Sequence, residues 1–340
     1  MNDCWQRIAG VQFQKVLCEL FRGENMQKYI EYLKSLSGKA LVTIAIGDQH
    51  RTQFEESILP TWLEYAANNN LGVIAFIDDL VPKNSMHWKK PTWQKMLLPQ
   101  ALRSQFPKID LVCYLDTDVL INPIAPSIFL EHQPGKVASV SLRHNLPFER
   151  EHIFRKLNLL RKQYSYPEYP LDSALHISLS NLYSHHNLKV QKDEVCAGVL
   201  LFNPIEVEAD FTKWFYSYDS SVETITNGGD QTHFNFHLQE SGILHTINYK
   251  WQKIWSFEVA EKYPFLFYDN FENIELIHTC IRSAMSEAYF LHFAGSWPES
   301  KNWLRKPFRL GGNETEFSRN LRDYEQLQLS GIPLGTLKPA

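Results

Sequence analysis

The chain has 340 residues, of which 44% are hydrophobic and 21% are charged, and this balance excludes a disordered protein. The formal net charge of -4 gives no general reason to bind nucleic acid or an anionic membrane. We therefore expect a soluble globular protein with a large hydrophobic core.

The cysteines and the first residues indicate a cellular compartment. The cysteines are odd in number and widely spaced, which indicates neither a disulfide framework nor a zinc site: they are Cys4, Cys18, Cys113, Cys196 and Cys280. No sustained apolar segment follows Met1, and no run of about 18 apolar residues occurs. The sequence predicts a cytoplasmic protein without a membrane span, and peripheral contact with the inner membrane face stays open.

The chain begins with apolar residues at helix-like spacing, which predicts two helices in residues 11–37. They are Val16, Leu17, Leu20, Phe21, Tyr29, Ile30 and Leu33. Residues 1–38 are therefore interpreted as a helical extension, residues 39–303 as one catalytic domain, and residues 304–340 as a tail with a helix at 317–329.

A strand at residues 41–46, a helix at 54–67 and a strand at 72–76 predict the start of an α/β sheet. Neither a GxGxxG motif nor a P-loop is present, so neither an NAD site nor a Walker-type ATP site is indicated. Pro91 then begins a helix that carries Lys95. A lysine at such a position is more often solvated than bound to phosphate.

An apolar run at residues 112–115 predicts a buried strand that ends in Asp116-Thr117-Asp118. In α/β sheets ligands bind beyond the carboxyl ends of strands. Because positions i and i+2 of an extended backbone point to one side, the two carboxylates can face one Mg²⁺ or Mn²⁺ ion. This pattern favours a metal that bridges the protein and a diphosphate.

The two acids have other interpretations. They could form a solvated turn at the end of the strand. A calcium loop is excluded, because Ile121 and Ser127 stand where that loop needs glycine and glutamate. A haloacid-dehalogenase-like phosphatase has a similar acidic pair, but its motif continues with Gly-Thr, whereas Val119-Leu120 follows here.

A strand at residues 137–142 precedes a segment, 143–190, that interrupts the strand rhythm and is interpreted as an insertion. Its basic residues predict a solvated helix face or a basic lid: they include Arg150, Arg155, Lys156, Arg161 and Lys162.

Three later sites are individually weak. Ala197-Gly198 opens a strand and would let a ligand approach closely. Asp230 precedes a helix at 232–238 and could serve only as its N-cap. His292 ends an apolar strand, where a histidine is more often a core or turn residue than a ligand.

Taken in order, these motifs resemble those of GT-A fold glycosyltransferases, most closely the retaining family 8 enzymes that include glycogenin and bacterial lipopolysaccharide galactosyl- and glucosyltransferases. The motifs lie at residues 45–50, 93–99, 114–120, 196–203, 230–231 and 292–295. The resemblance covers residues 40–303, and the ordered set is far more specific than any single motif.

The resemblance implies one large α/β domain of the GT-A type with a mixed central sheet. It implies a metal-dependent retaining transfer of a hexose, glucose or galactose, from a UDP-sugar to a hydroxyl of a glycan or glycolipid. Asp116, Asp118 and His292 would hold Mn²⁺ or Mg²⁺, and the imidazole favours Mn²⁺. The resemblance gives no oligomeric state.

The same resemblance implies the remaining site residues. Asp230 would bind hydroxyls of the sugar, and Gln231 would lie near its anomeric carbon. The positions that would bind the donor nucleotide are Ala45, Asp48, Gln49, His50, Lys95, Asp116, Gly198, Gly295 and Lys301.

The chain departs from the family pattern at two positions that bear on activity. Cys196 replaces the usual asparagine, which removes an amide that binds sugar, and Lys95 replaces an arginine, which loses the bidentate fork. The replacement at Cys196 favours the alternative, a non-catalytic nucleotide-sugar or glycan-binding protein with this fold, and a phosphatase is a remote alternative.

Overall fold

The computed structural model describes residues 16–17, 29–165, 177–226, 229–268, 272–295 and 297–304. The predicted tail helix at 317–329 lies outside these residues, as do Cys4 and Cys18.

The described residues form strands and helices in alternation. The strands are β1 (Val16–Leu17), β2 (Tyr29–Leu33), β3 (Lys39–Ile44), β4 (Gly72–Phe76), β5 (Leu111–Leu115), β6 (Val119–Ile121), β7 (Val137–Val140), β8 (Val199–Phe202), β9 (Leu244–Ile247), β10 (Lys253–Ile254) and β11 (Phe290–His292). The α-helices are Asp48–Gln53, Leu59–Asn68, Pro91–Gln94, Leu98–Gln105, Arg150–Leu160, Leu179–His185, Pro204–Tyr216, Val222–Thr226, Gln231–Glu240, Trp255–Lys262 and Ile274–Glu287. Short 3₁₀ or π turns occupy Phe54–Ile58, Lys95–Leu97, Ile128–Glu131, Arg161–Ser165, Tyr249–Gln252, Pro264–Phe267 and Glu299–Leu304.

The central sheet of the described chain has the strand order β1-β2-β4-β3-β5-β8-β7-β9. Strand β3 is parallel to both β4 and β5, whereas β8 is antiparallel to β5 and to β7. The helical segment between β3 and β4 is the crossover that a parallel pair requires. The mixed α/β sheet expected from the sequence is thus confirmed.

The two faces of this sheet carry separate hydrophobic cores. Val112 and Tyr114 of β5 pack into one core, and Cys113 and Leu115 into the other. This is the two-residue period of a strand, and the apolar run is continuous because both faces are covered by helices. The same period turns Tyr114 toward the face on which Lys95 lies.

A second, small sheet has the order β10-β11-β6. Strand β6 follows the acidic turn after β5, and β11 pairs with it in antiparallel fashion, so that His292 lies opposite Val119. The indole of Trp62, on the helix Leu59–Asn68, donates a hydrogen bond of 2.7 Å to the carbonyl of Val119. The acidic turn is therefore held from both sides by buried structure.

The prediction of two helices before the first strand is wrong for the residues that the structure describes. Val16–Leu17 and Tyr29–Leu33 are strands, and Ile30 is buried opposite Ala75 of β4. The apolar spacing of so short a segment fits either helix or strand, and pairing with the free edge of β4 decides for the strand. Residues 1–15 and 18–28 lie outside the described chain.

The predicted insertion contains the helix Arg150–Leu160. Its buried residues Ile153, Phe154 and Leu157 pack in the same core as Phe257 of the helix Trp255–Lys262. Arg155 is 70% exposed, as the interpretation of a solvated face requires, but Arg161 is buried and bonded to Glu299. The insertion is thus packed onto the domain at this helix. None of the described helices has the length and apolar character needed to cross a membrane.

Candidate active site

A cavity of about 470 Å³ lies beyond the carboxyl ends of β3 and β5. Its lining residues are Ile44, Ile46, His50, Lys90, Pro91, Thr92, Lys95, Tyr114, Asp116, Thr117, Asp118, Cys196, Ala197, Gly198, Asp230, Gln231, His292, Ala294 and Gly295. This is the position at which open α/β sheets bind ligands.

Two carboxylates and one imidazole meet at the floor of this cavity. The Nε2 atom of His292 lies 3.1 Å from Oδ1 of Asp118 and 3.8 Å from Oδ2 of Asp116. The pairing of β11 with β6 produces this contact, and the amide of Phe293 donates to the carbonyl of Asp118 at 3.0 Å. Within the described chain these three side chains form a group able to hold a metal, with ligand atoms within 4.8 Å of one another.

The backbone between the two acids differs from the expected extended form. Strand β5 ends at Leu115, residues 117–118 form a turn, and β6 begins at Val119. The two carboxylates converge because the turn folds them toward His292. The amide of Asp116 donates to the carbonyl of Gly198 at 3.0 Å, which fixes the start of the turn.

The second nitrogen of His292 is held by a buried amide. Nδ1 lies 2.9 Å from the amide group of Gln252, which is fully buried. With the amide oxygen placed toward Nδ1, this oxygen accepts from His292 and from the amide of Val199, and the amide nitrogen donates to the carbonyl of Cys196. Gln252 thus fixes the proton on Nδ1 and leaves the lone pair of Nε2 for a metal.

The charges around His292 favour a cation. Burial alone would lower the pKa of His292, but the adjacent carboxylate of Asp118 outweighs this effect and raises the pKa well above its ordinary value. The carboxylates attract a divalent ion in the same way. Such an ion would compete with a proton for binding to Nε2 of His292.

Gly198 provides the space in which these ligands meet. A Cβ atom at this position would overlap Cε1 of His292 and lie 2.8 Å from Oδ2 of Asp116. No side chain larger than hydrogen fits without displacing a buried group. The sequence predicts a close approach to this glycine. In the structure the groups that approach it are the imidazole of His292 and the carboxylate of Asp116.

A buried ion cluster lies next to the acidic turn. The side chain of Lys95 is 3% exposed, and its Nζ lies 3.4 Å from Oδ2 of Asp230 and 3.7 Å from Oδ1 of Asp116. It donates to the carbonyl of Ala197 at 2.9 Å and lies over the ring of Tyr114. Burial lowers the pKa of Lys95, but the carboxylates reverse the effect and raise it, so the lysine is charged. Lys95 is thus a buried residue of the cavity and not a solvated one.

Asp230 precedes the helix Gln231–Glu240 but makes no side-chain capping bond to it. Its side chain instead points toward Lys95, and Oδ2 is buried without a hydrogen bond of normal geometry. Burial raises the pKa of Asp230, and the charge of Lys95 opposes this rise. The simple capping role is therefore wrong, and the carboxylate faces the cavity.

Gln231 lines the cavity beside Asp230. Its Nε2 donates to Oε1 of Glu194 at 3.0 Å. The other carboxylate oxygen, Oε2, accepts from Nε and from an Nη atom of Arg143, at 3.0 and 2.8 Å. Glu194, Arg143 and Gln252 did not stand out in the sequence, because no motif marks residues that act through another side chain.

Tyr114 and Cys196 also reach the cavity. The hydroxyl of Tyr114 donates to Oδ1 of Asp116 at 2.5 Å. The sulfur of Cys196 lies 3.6 Å from Nδ1 of His292. The strand period places Tyr114 and Asp116 on one side, which is the sequence signal that could have identified the tyrosine.

The cavity includes nine of the residues suggested by the sequence: Asp116, Asp118, His292, Lys95, Gly198, Asp230, Gln231, His50 and Gly295. It does not include Ala45, Asp48, Gln49 or Lys301. Ala45 is buried in the backbone pairing of the sheet, and Asp48 is 92% exposed and paired with Arg51. The nucleotide-binding roles of these four residues stay predictions.

The donor set fits a divalent metal. Two carboxylates and one imidazole are ligands that Mn²⁺ accepts and Ca²⁺ disfavours, since Ca²⁺ takes oxygen ligands alone. Oδ1 of Asp118 is buried without a hydrogen bond of normal geometry, which is a cost that a bound cation would remove. The fixed Nδ1 proton of His292 completes the arrangement.

No model of a known protein family matches the chain, and no curated protein matches it by sequence. Solved structures that are similar to it include glycosyltransferases. One is involved in the glycosylation of the major capsid of PBCV-1: it is 10% identical, with a TM-score of 0.43, over 84% of this chain and 99% of that one. The bifunctional glycosyltransferase WbbM is 13% identical, with a TM-score of 0.42, over 85% of this chain and 54% of that one.

The galactosyltransferase LgtC, solved in complex with donor and acceptor sugar analogs, is 15% identical. Its TM-score is 0.39, over 83% of this chain and 95% of that one.

Proposed function

We propose that the protein is a metal-dependent retaining glycosyltransferase that moves a hexose, glucose or galactose, from a UDP-sugar to a hydroxyl of a glycan or glycolipid. The observation that supports this most is the convergence of Asp116, Asp118 and His292 beside the buried Lys95–Asp230 pair in one cavity. The first group could bind a metal ion together with a diphosphate. The buried pair could bind the hydroxyl groups of a sugar.

Asp116, Asp118 and Nε2 of His292 would hold the metal. A divalent ion there, preferably Mn²⁺, would neutralise the charge of the leaving diphosphate. Tyr114 and Lys95 keep Asp116 in place, and Gln252 keeps His292 in place. These contacts reduce the reorganisation that metal binding requires.

Asp230 and Gln231 would contact the donor sugar. The buried carboxylate of Asp230 can accept hydrogen bonds from sugar hydroxyls, and Nζ of Lys95 lies 3.4 Å from its Oδ2. In a transition state with positive charge at the anomeric carbon, a carboxylate and an amide oxygen stabilise that charge more than they stabilise the ground state.

Retention of configuration is proposed because the acids of the described cavity already have partners. Asp116 and Asp118 face His292, and Asp230 faces Lys95, so none of them is a free general base for an acceptor. The leaving phosphate oxygen can accept the acceptor's proton on the same face of the sugar, which keeps the α configuration.

A transfer assay tests the proposal directly. The protein is incubated with UDP-glucose or UDP-galactose and an oligosaccharide mixture, with Mn²⁺ or with EDTA, and UDP release and new glycans are measured. Turnover that requires the metal supports the proposal, and full turnover in EDTA contradicts it. Binding of donor with stabilisation of the fold but no turnover would favour the non-catalytic alternative, to which the replacement at Cys196 points.

A further inference from the structure

The side-chain amide of Gln231 is held by the carboxylate of Glu194, which lies outside the proposed metal and sugar sites. Glu194 lies just before the segment that carries Cys196 and Gly198, and its Oε1 accepts from Nε2 of Gln231 at 3.0 Å. The side chain of Glu194 is 16% exposed, so this hydrogen bond is largely shielded from water.

Chemistry fixes the direction of the Gln231 amide. An ionised carboxylate can only accept hydrogen bonds, whereas an amide group has a donor end and an acceptor end. Glu194 therefore selects the orientation in which the Nε2 end of Gln231 points to the carboxylate. The carbonyl oxygen, Oε1, is the end of the amide that this contact leaves for a ligand in the cavity.

Arg143 holds Glu194 in place. Its guanidinium donates to Oε2 through two nitrogens, at 3.0 and 2.8 Å, which are charge-assisted hydrogen bonds to one oxygen. Arg143 begins the insertion, and its side chain is 12% exposed. Hydrogen bonds thus connect Arg143, at the start of the insertion, through Glu194 to Gln231.

A second clamp joins the same two segments. Oδ1 of Asn235 accepts from the amide of Val195 at 2.6 Å, and its Nδ2 donates to the carbonyl of Val195 at 2.8 Å. Asn235 lies one turn after Gln231 on the same helix and donates to the carbonyl of Gln231 as well. The helix start and the segment at 194–195 are therefore fixed relative to each other.

We propose that Glu194 is a positioning residue that presents the carbonyl oxygen of Gln231 to the anomeric carbon of the donor sugar. The inference deepens the proposed transferase function and rests on it. Positive charge develops at the anomeric carbon in the transition state, so a carbonyl oxygen stabilises it and an N–H group destabilises it. Because this charge is small in the bound donor, Glu194 acts mainly on kcat.

The variant Glu194→Gln reverses the amide with little change in shape. The new amide places its oxygen toward the charged Arg143, which is the stronger partner, and its NH₂ group toward Gln231. Gln231 must then turn its carbonyl oxygen toward the NH₂ group of residue 194, which leaves its own N–H group facing the sugar. We expect kcat to fall on the order of tenfold or more with the donor KM little changed, and the melting temperature to fall because the ion pair with Arg143 is lost.

A double variant supplies the rescue. Glu194→Gln combined with Gln231→Glu lets the NH₂ group of residue 194 donate to a carboxylate at residue 231, so that oxygen again faces the sugar. We expect kcat of the double variant to recover from that of Glu194→Gln alone. The matched control is Glu240→Gln, an exposed acid at the end of the same helix that bonds Lys189 and Gln191. It should keep the wild-type kcat.

The outcomes separate the two proposals. No metal-dependent turnover by the wild type contradicts the transferase function. Wild-type turnover together with an unchanged kcat in Glu194→Gln, or a loss without rescue in the double variant, overturns the role of Glu194. A readout without activity is the side-chain NH₂ resonance pair of Gln231, followed by ¹⁵N NMR in glutamine-labelled protein. It should shift in Glu194→Gln and stay unchanged in Glu240→Gln, and an unchanged position in Glu194→Gln overturns the amide orientation.

Discussion

The Nε2 atom of His292 lies 3.1 Å from Oδ1 of Asp118, on the strand that pairs with the segment following Asp118. The contact is made by the pairing of β11 with β6, and the imidazole is oriented from behind by Gln252. A buried imidazole that lies beside two acids in the lining of a cavity could hold a metal ion.

Replacement of Asp118 should remove metal binding while the fold is kept. Asp118→Asn keeps the shape of the side chain but removes the charge that attracts the cation. In the wild type, Mn²⁺ at one hundred times its Kd should stabilise the native state by about 2.7 kcal/mol, and the variant should lose this increment. Thermal denaturation with and without Mn²⁺ measures it.

Asp110→Asn is the control for that variant. Asp110 is an exposed acid before the opposite end of the same strand. It should keep the full stabilisation by Mn²⁺, and stabilisation of Asp118→Asn equal to the wild type would contradict the metal assignment.

Replacement of His292 distinguishes the role of a metal ligand from that of a core residue. If Nε2 binds the metal, His292→Ala should weaken Mn²⁺ affinity strongly and raise the metal concentration needed for half-maximal activity. A core role would lower the melting temperature in the absence of metal and leave the affinity of the folded variant unchanged. Isothermal titration of the folded variant with Mn²⁺ decides between them.

Gly198→Ala should disable the site through shape alone. The added methyl group overlaps the imidazole of His292 and lies 2.8 Å from Asp116, so one ligand must move. Mn²⁺ affinity should fall by at least about tenfold, in the range that misplaced ligands cost.

Gly135→Ala serves as the comparison for Gly198→Ala. Gly135 has φ +70° and open space around its Cβ position. The replacement should cost stability of roughly 1 to 2 kcal/mol through the backbone alone. Its metal affinity should equal that of the wild type, and equal losses in both variants would argue against the steric explanation.

A buried histidine should make the stability depend on pH. His233 is 3% exposed among Trp93, Tyr218 and His186, and burial lowers its pKa to about 4. Between this value and the ordinary pKa of about 6.5, the unfolded chain binds a proton that the native chain excludes, so stability falls as pH falls. For His233 alone the loss from pH 7 to pH 5.5 is roughly 1 kcal/mol.

His233→Phe should remove this contribution, since a phenyl ring fits the aromatic surroundings. Urea denaturation at the two pH values measures the difference. A variant whose stability falls with pH as steeply as that of the wild type would show that His233 is not the group responsible.

The product should keep the α configuration of the donor. The acids of the described cavity are engaged with His292 or Lys95, which leaves no carboxylate free to activate an acceptor for inversion. Proton NMR of the first-formed product shows the anomeric coupling directly. A β product would mean inversion and would give one of these acids the role of a general base.

Much of the fold could be predicted because its strands are short apolar runs that end at clear polar residues. The strand Gly72–Phe76 was predicted with its observed bounds, and β5 differs from its prediction by one residue. The strand Tyr29–Leu33 was missed because its structure is set by pairing with β4, a contact that local spacing does not encode.

The candidate site could be predicted where side chains follow strand ends, and not where they act through distant partners. Asp116 and Asp118 follow an obvious strand. The residues that orient the site, Gln252 and Glu194, are a buried amide and a partly exposed acid whose importance depends on tertiary contacts alone. Lys95 could be assigned to the site only through the resemblance, because a sequence shows its charge but not the two carboxylates around it.

The late position of β11 has a consequence for synthesis of the protein. Two proposed ligands, Asp116 and Asp118, leave the ribosome long before His292, whose strand must then insert beside β6. A nascent chain that ends before Phe290 carries both acids but cannot close the site. Tight binding of the proposed cation would therefore require that β11 has paired with β6, and metal retention would then show that the last strand of the small sheet is in place.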